Sequence, residues 1–298
     1  MRNLMGFAAI TIASIVWLTP AHPQQAKKVD ILRIGTTGVL LESSPEGSEE
    51  TAQESFRNFI KNEVGFNNEI LAVDDYKILT DRLQTGKLNL GVFMGYEFAW
   101  ALAKEPKLKP LAIAVNNYPY RNVHVMVAQD GKAAKFADLK GQTLAIPRIG
   151  HAYMRLFIDK QCLPTGKDAE DFFSKLMTLD NVELVLDEVV DGKVQAAVVD
   201  RVGLEAYKRR KPGRFSQLKE LLQSDPLPPA LVAYYDGGLD KGTLDRFRNG
   251  LITAHKKKEG QRLLDLYRLT SFDNVPKDFD RVLADTLKNY PPSLAKAR

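Results

Sequence analysis

Asp81-Arg82-Leu83-Gln84-Thr85-Gly86-Lys87-Leu88-Asn89-Leu90-Gly91-Val92 is the stretch from which the architecture can be read. Ile78, Leu79 and Leu83 recur at helical spacing, Gly86 stops that helix, and Leu88 to Phe93 follows as a short buried strand. The pattern returns further along as Asp187-Glu188-Val189-Val190-Asp191-Gly192-Lys193-Val194-Gln195-Ala196-Ala197-Val198. In both places a helix ends at Gly-Lys, an apolar residue and an amide follow, and a buried strand begins. Each strand runs into a loop, Met94-Gly95-Tyr96-Glu97 or Asp200-Arg201-Val202-Gly203, from which another helix continues. Helix–Gly–Lys–strand units are common in α/β proteins, so the match leaves duplication and coincidence both open. As a duplication it sets the two loops across one cleft, because ligands of open α/β sheets bind outside the carboxyl ends of the strands.

Strand and helix alternate on either side of this unit. Ile31 to Ile34, Glu69 to Val73, Leu111 to Val115, Val123 to Val127, Thr143 to Ile146 and Ala230 to Tyr235 read as strands. Val182 to Leu186 and Gln195 to Val199 read as two more buried strands with a helical piece between them. Helical spacing marks Ala52 to Val64, Tyr96 to Ala103 and Gly150 to Gln161, and the last third of the chain is helical. Two junctions interrupt the pattern, the polar Asn116-Asn117-Tyr118-Pro119-Tyr120 and the proline-rich Pro226-Leu227-Pro228-Pro229. The expectation is an α/β fold with two mostly parallel sheets flanked by helices and a cleft between two lobes. Residues 29–117 plus 225–298 would form the first lobe and 118–224 the second.

Composition narrows the function. Among 298 residues, 44% are hydrophobic and 27% charged, the balance of a globular chain. One cysteine, Cys162, excludes an intrachain disulfide and a cysteine zinc cluster. Four histidines, none at H-E-x-x-H spacing, give no metal motif. The net charge of +5 is small for a nucleic-acid binder of this length. Arg2 precedes an apolar run from Leu4 to Leu18, and Thr19-Pro20-Ala21 comes next with small residues at −3 and −1. Residues 1–21 therefore read as a secretory signal peptide cleaved near Ala21, which makes the chain an exported protein. The run is short for a full membrane span of about 20 residues.

Val73-Asp74-Asp75-Tyr76-Lys77-Ile78-Leu79, Leu83-Gln84-Thr85-Gly86-Lys87-Leu88-Asn89-Leu90 and Gly95-Tyr96-Glu97-Phe98-Ala99 together resemble the phosphate/phosphite/phosphonate substrate-binding proteins of ATP-driven importers. Phe136-Ala137-Asp138-Leu139-Lys140-Gly141, Gly192-Lys193-Val194-Gln195-Ala196-Ala197 and the late prolines fit the same family, so the resemblance covers nearly the whole chain after the signal. It implies a type II periplasmic-binding-protein fold that closes on a small anionic solute and delivers it, as a monomer, to an inner-membrane importer permease. It also implies that Tyr76 contacts the ligand. Members usually carry a Ser-Thr-Ser-Gly loop at a second-lobe helix start, where hydroxyls and backbone N–H groups hold the anion. Here that place reads Arg148-Ile149-Gly150-His151-Ala152-Tyr153.

Several residues become candidates for ligand contact. A helix N-terminus binds anions without special side chains, Gly150 permits close approach, Arg148 offers a two-pronged fork, and His151 adds a pH-dependent charge. The alternatives are a surface role for Arg148 and a capping role for His151. Thr36 and Thr37 stand just past the first strand. Tyr96, Glu97 and Asp200 lie on the paired loops, where Glu97 or Asp200 can meet a ligand amine, cap a helix or pair with Arg148. Tyr120 sits at the first junction, either on the ligand or reporting closure. No cofactor is implied, no nucleophile elbow is present, and Cys162 stands late in a helix, a poor setting for a reactive thiolate. The expected function is solute binding by hinge closure, with phosphonate-like, phosphate-like or carboxylate ligands. The alternatives are an exported ligand-sensing or accessory protein without a transport role, and an enzyme built on Arg148, His151 and Asp200.

Overall fold

The computed structural model describes residues 29–37 and 49–294, so the expected signal peptide over residues 1–21 lies outside them. The chain opens with β1 (Ile31–Thr37), α1 (Glu49–Phe59), β2 (Asn67–Val73), α2 (Tyr76–Gln84), β3 (Leu90–Phe93), α3 (Gly95–Lys104) and β4 (Leu108–Val115). It continues with β5 (Val123–Ala128), β6 (Thr143–Pro147), α4 (His151–Cys162), α5 (Ala169–Phe172), β7 (Lys175–Leu179), α6 (Val182–Val190), β8 (Ala196–Asp200), α7 (Arg201–Arg210), α8 (Pro212–Phe215) and β9 (Leu218–Gln223). The last part is β10 (Leu231–Tyr235), α9 (Lys241–Ile252), α10 (Lys258–Leu266), β11 (Ser271–Asp273) and α11 (Phe279–Asn289).

The internal echo is realised bond for bond. Asp75 opens α2 by accepting from the backbone N–H groups of Lys77 at 2.7 Å and Ile78 at 2.9 Å. Asn181 opens α6 by accepting from Leu184 N–H at 2.9 Å. At the other end, Gly86 N–H donates to Leu83 C=O and Leu88 N–H to Arg82 C=O, while Gly192 N–H donates to Val189 C=O and Val194 N–H to Glu188 C=O. Gly86 and Gly192 share the left-handed φ of 71° that this closure requires. The unit α2–β3–α3 thus reappears as α6–β8–α7. Val182 to Leu186 is accordingly helix rather than strand. Its valines and leucines look strand-like in sequence, but the Asn181 cap starts a helix that buries Val185, Leu186 and Val189 on one face.

Two sheets result, in the orders β2-β1-β3-β10-β4-β11 and β7-β6-β8-β5-β9. Both are mixed. In the first, β1 pairs parallel with β2 and β3, whereas β10 runs antiparallel to both β3 and β4. In the second, β6 pairs parallel with β7 and β8, and β5 runs antiparallel to both β8 and β9. The reversed inner strand is, in each sheet, the one that has just crossed from the other. Parallel pairing holds only where a helix returns the chain; a strand arriving from the opposite sheet enters against the grain.

Those two crossings lie side by side. Arg121 N–H donates to Leu227 C=O at 2.9 Å, and Leu227 N–H donates to Arg121 C=O at 2.8 Å. One hydrophobic core spans both sheets on the side of α3, α4 and α11, with Trp100, Phe98, Phe157, Phe172 and Phe279 fully buried. A second core packs α1, α9 and α10 on the other face of the first sheet, and a third packs α6 and α7 on the second. Each fully buried Leu or Phe side chain contributes roughly 1.5–3 kcal/mol. Trp100 also donates its indole N–H to Tyr290 C=O at 2.6 Å, tying α11 to α3.

Gly95, the first residue of α3, meets the second crossing so closely that a Cβ would lie 2.2 Å from the Pro228 carbonyl oxygen and 2.4 Å from that of Pro229. The obstacle is backbone, which cannot swing aside. Gly95→Ala is expected to destabilise the protein by about 1–3 kcal/mol, the usual range for overpacking. The check is the midpoint of urea unfolding against the unaltered chain.

Candidate functional site

A cavity of about 290 Å³ takes walls from both sheets. Thr36, Val92, Ala114 and Val232 come from the first sheet, Pro147 and Asp200 from the ends of β6 and β8, and Gly150 and Tyr153 from the start of α4. Arg121 and Asn116 enter from the first crossing, and Asn181 from the α6 cap. The meeting of strand ends with helix starts is what the fold dictates, since β6 and β8 each hand the chain directly to a helix.

Of the residues expected from sequence, Thr36, Gly150 and Asp200 line this cavity. Gly150 caps α4 with a left-handed φ of 77°. Asp200 caps α7, its Oδ1 accepting from Gly203 N–H at 2.8 Å. Thr37 is fully buried one residue beyond Thr36, and its hydroxyl donates to Glu97 Oε2 at 3.3 Å. Tyr76 and Tyr96 are buried in an aromatic row behind the cavity. Tyr76 stands 5.5 Å from Trp100, Trp100 5.0 Å from Tyr96, and Tyr96 5.2 Å from Tyr153, centroid to centroid. The Tyr76 hydroxyl is buried without a hydrogen-bond partner among the described residues. Burial is the main reason its pKa lies above the ordinary tyrosine value. Tyr120 lines a small neighbouring pocket and donates its hydroxyl to Asp278 at 2.6 Å. Arg148 points to the surface, where it pairs with Asp180 at 3.1 Å, both side chains more than half exposed. His151 begins α4 next to the cavity-lining Gly150.

Two residues that the sequence pattern did not single out stand at the centre. Tyr153, fully buried, accepts from Gly95 N–H at 3.0 Å and donates to Pro228 C=O at 2.9 Å. One hydroxyl therefore joins α4 to the start of α3 and to the second crossing. Burial pushes its pKa up to about 12, which keeps it a donor at neutral pH. Arg121 lays its guanidinium 5.0 Å from the Tyr153 ring centroid, and its Nε is buried with no hydrogen-bond partner among the described residues. A buried donor left unmatched is costly, so this wall of the cavity has a hydrogen bond still to make. Arg121 lies just past the polar junction, and nothing in its sequence neighbourhood separates it from the many surface arginines.

The chemistry that is present suits binding. Cys162 is buried, and burial raises its pKa to about 12, so it is not a thiolate at neutral pH. Among the described residues no group of three or more His, Cys, Asp or Glu side chains could hold a metal, and no helix is long and apolar enough to cross a membrane.

Glu97 has a structural role on α3. Its carboxylate accepts from Met94 N–H at 3.3 Å as well as from Thr37, and only 6% of the residue is exposed. Burial raises its pKa to about 7, with help from the charge of Asp75 and against the two hydrogen bonds. A carboxyl raised in the folded state stabilises fully below its unfolded value of about 4.5 and loses that contribution as pH rises to about 7. The loss is on the order of 3 kcal/mol. Glu97→Gln keeps both acceptor bonds without the charge. It is expected to flatten unfolding stability between pH 4.5 and 7 and to match or exceed the unaltered protein at pH 8, as measured by denaturant titration across that range.

Known proteins share this architecture. A family model described as ABC transporter, phosphonate, periplasmic substrate-binding protein matches residues 38–278. Among solved structures, XAC2383 from Xanthomonas citri bound to ATP is similar at a TM-score of 0.60 and 15% identity, over 91% of this chain and 100% of that one. PhnD1 from Prochlorococcus marinus in complex with methylphosphonate gives 0.56 and 13%, over 87% and 97%. A binding-protein component of an ABC phosphonate transporter from Pseudomonas aeruginosa gives 0.53 and 14%, over 87% of each. No curated protein sequence matches the chain. The neighbours establish the type II periplasmic-binding fold, and the family match completes the assignment: the chain belongs to the phosphonate periplasmic substrate-binding proteins of ABC transporters, a family of solute binders and not of enzymes.

Proposed function

We propose that this protein is exported after removal of residues 1–21 and acts in the periplasm as the monomeric solute receptor of an importer. Residues 29–117 plus 225–298 form one lobe and 118–224 the other, and they close by hinge motion on a small organic or inorganic anion before presenting it to the membrane permease. The observation that carries the reading is the cavity walled by both sheets, with half-buried Arg121 on its lining and the Arg121 Nε unmatched among the described residues. An anion that accepts from that guanidinium would complete the wall. Thr36, Gly150 and Asp200 supply further polar contacts from β1, the α4 start and the end of β8, and the Arg148 fork takes no part. Closure draws on the two crossings, which run together at Arg121 and Leu227 and form a short, paired axis.

Tyr153 is the latch of the closed form. Tyr153→Phe deletes one hydroxyl and leaves the Gly95 N–H and Pro228 C=O buried without it, at about 1–3 kcal/mol for each group. The variant is expected to bind anions at least about tenfold more weakly, since 1.4 kcal/mol is a factor of ten. It is also expected to have a larger radius of gyration in small-angle scattering at saturating ligand. The solute-receptor function is tested by calorimetric titration of the mature chain with phosphate, sulfate, small carboxylates and methyl-, butyl- and hexylphosphonate. Saturable binding of any of them with contraction of the particle supports it, and absence of binding across the whole set ends it.

A further inference from the structure

Resting on that reading of the cavity as a solute site, we infer that its solute is an organic anion with an apolar body of several carbons and a singly charged head held at Arg121. An inorganic oxoanion or a one-carbon phosphonate is a poor fit.

Size is the first ground. About 290 Å³ is open, whereas a water needs roughly 10–15 Å³ on the same measure. A tetrahedral oxoanion at Arg121 would leave most of that space unfilled.

The character of the walls is the second ground. On the first-sheet side the cavity is lined by Phe56, Ile70, Val92, Val232, Leu263 and Phe272, drawn from four strands and the helices α1 and α10. All six belong to, or pack against, the hydrophobic layer between that sheet and its helices. This side of the cavity is thus a mainly apolar wall, and an apolar body gains from packing against it. A phosphate pushed there would lose its water for the few scattered donors of Thr36, Gln53 and Tyr267 among the described lining residues.

The charges are the third ground. Arg121 is half-buried and its buried Nε lacks a partner among the described residues, whereas Arg268 is an exposed cation on the same lining. Asp200 shares both this cavity and the small neighbouring pocket with Arg121. With the two guanidiniums of Arg121 and Arg268 against the Asp200 carboxylate, the charged side chains of the described lining leave one positive charge, which favours a singly charged anion over a doubly charged one. The geometry therefore reads as a head site at the crossing and a body site in the first-sheet layer.

The test is calorimetric titration of the mature chain at neutral pH with inorganic phosphate and with methyl-, butyl- and hexylphosphonate. Affinity is expected to rise about fourfold per added methylene, the gain for burying each in an apolar site, with phosphate the weakest. Arg121→Gln is expected to weaken the whole series at least tenfold. Val92→Trp, which places an indole in the body site, is expected to bring the hexyl-to-methyl affinity ratio towards one, and Val92→Leu to lower it in smaller measure. Methylphosphonate binding with affinity flat or falling along the series overturns the apolar body and leaves the solute-binding reading standing. No binding by any member overturns both. An undiminished hexyl-to-methyl ratio in both Val92 variants places the alkyl chain elsewhere and overturns the inference.

Discussion

The pairing of Arg121 with Leu227 is the constraint on which the other features depend. The chain passes between its sheets twice, and two reciprocal backbone bonds hold these passages together. Each sheet then receives a strand from the other, and that strand enters reversed, which makes both sheets mixed. The same bridge fixes Arg121 at the border of the cavity, with its backbone committed to Leu227 and its guanidinium against Tyr153. Tyr153 in turn reaches Gly95 and Pro228. Crossing, cavity and inter-sheet contact are one connected arrangement.

The α/β alternation and the duplicated unit were legible because both rest on local rules. A glycine at a left-handed helix end and an Asp or Asn cap are written in consecutive residues, and Gly86, Gly192, Asp75 and Asn181 obey them. Local rules misled at Val182–Leu186, where β-branched residues imitate a strand and the decisive cap lies one residue upstream. The sense of the inner strands was not legible either, since it depends on which sheet a strand has just left. For the cavity lining, Thr36, Gly150 and Asp200 were legible because each stands where a strand gives way to a loop or a helix start. Tyr153 and Arg121 were not, because their partners are far along the chain: Gly95 and Pro228 for the one, the unmatched cavity wall for the other. Arg148 shows the converse. It stands at the loop where the family places its ligand hydroxyls, yet Asp180 draws it to the surface.

Glu97 illustrates how one carboxylate is committed to its own helix. It is buried in the first turn of α3 and occupied by Thr37 and Met94. Its raised pKa is a property of packing rather than of the cavity. The polar groups that line the cavity come from the crossing, from the start of α4 and from the ends of β1 and β8.

The two copies of the repeated unit are not equal, and the inequality has a direction. In the second copy, Asp200 caps α7 from within its own strand. In the first, the matching residue is Met94, which has no capping side chain, and the N–H of Gly95 is met by a tyrosine from the opposite unit. The later half is locally complete, whereas the earlier half borrows its finishing hydrogen bond. Loss of contact between the halves frees the Gly95 N–H on one side and the Tyr153 hydroxyl on the other, but only the first unit then loses the bond that finishes a helix start.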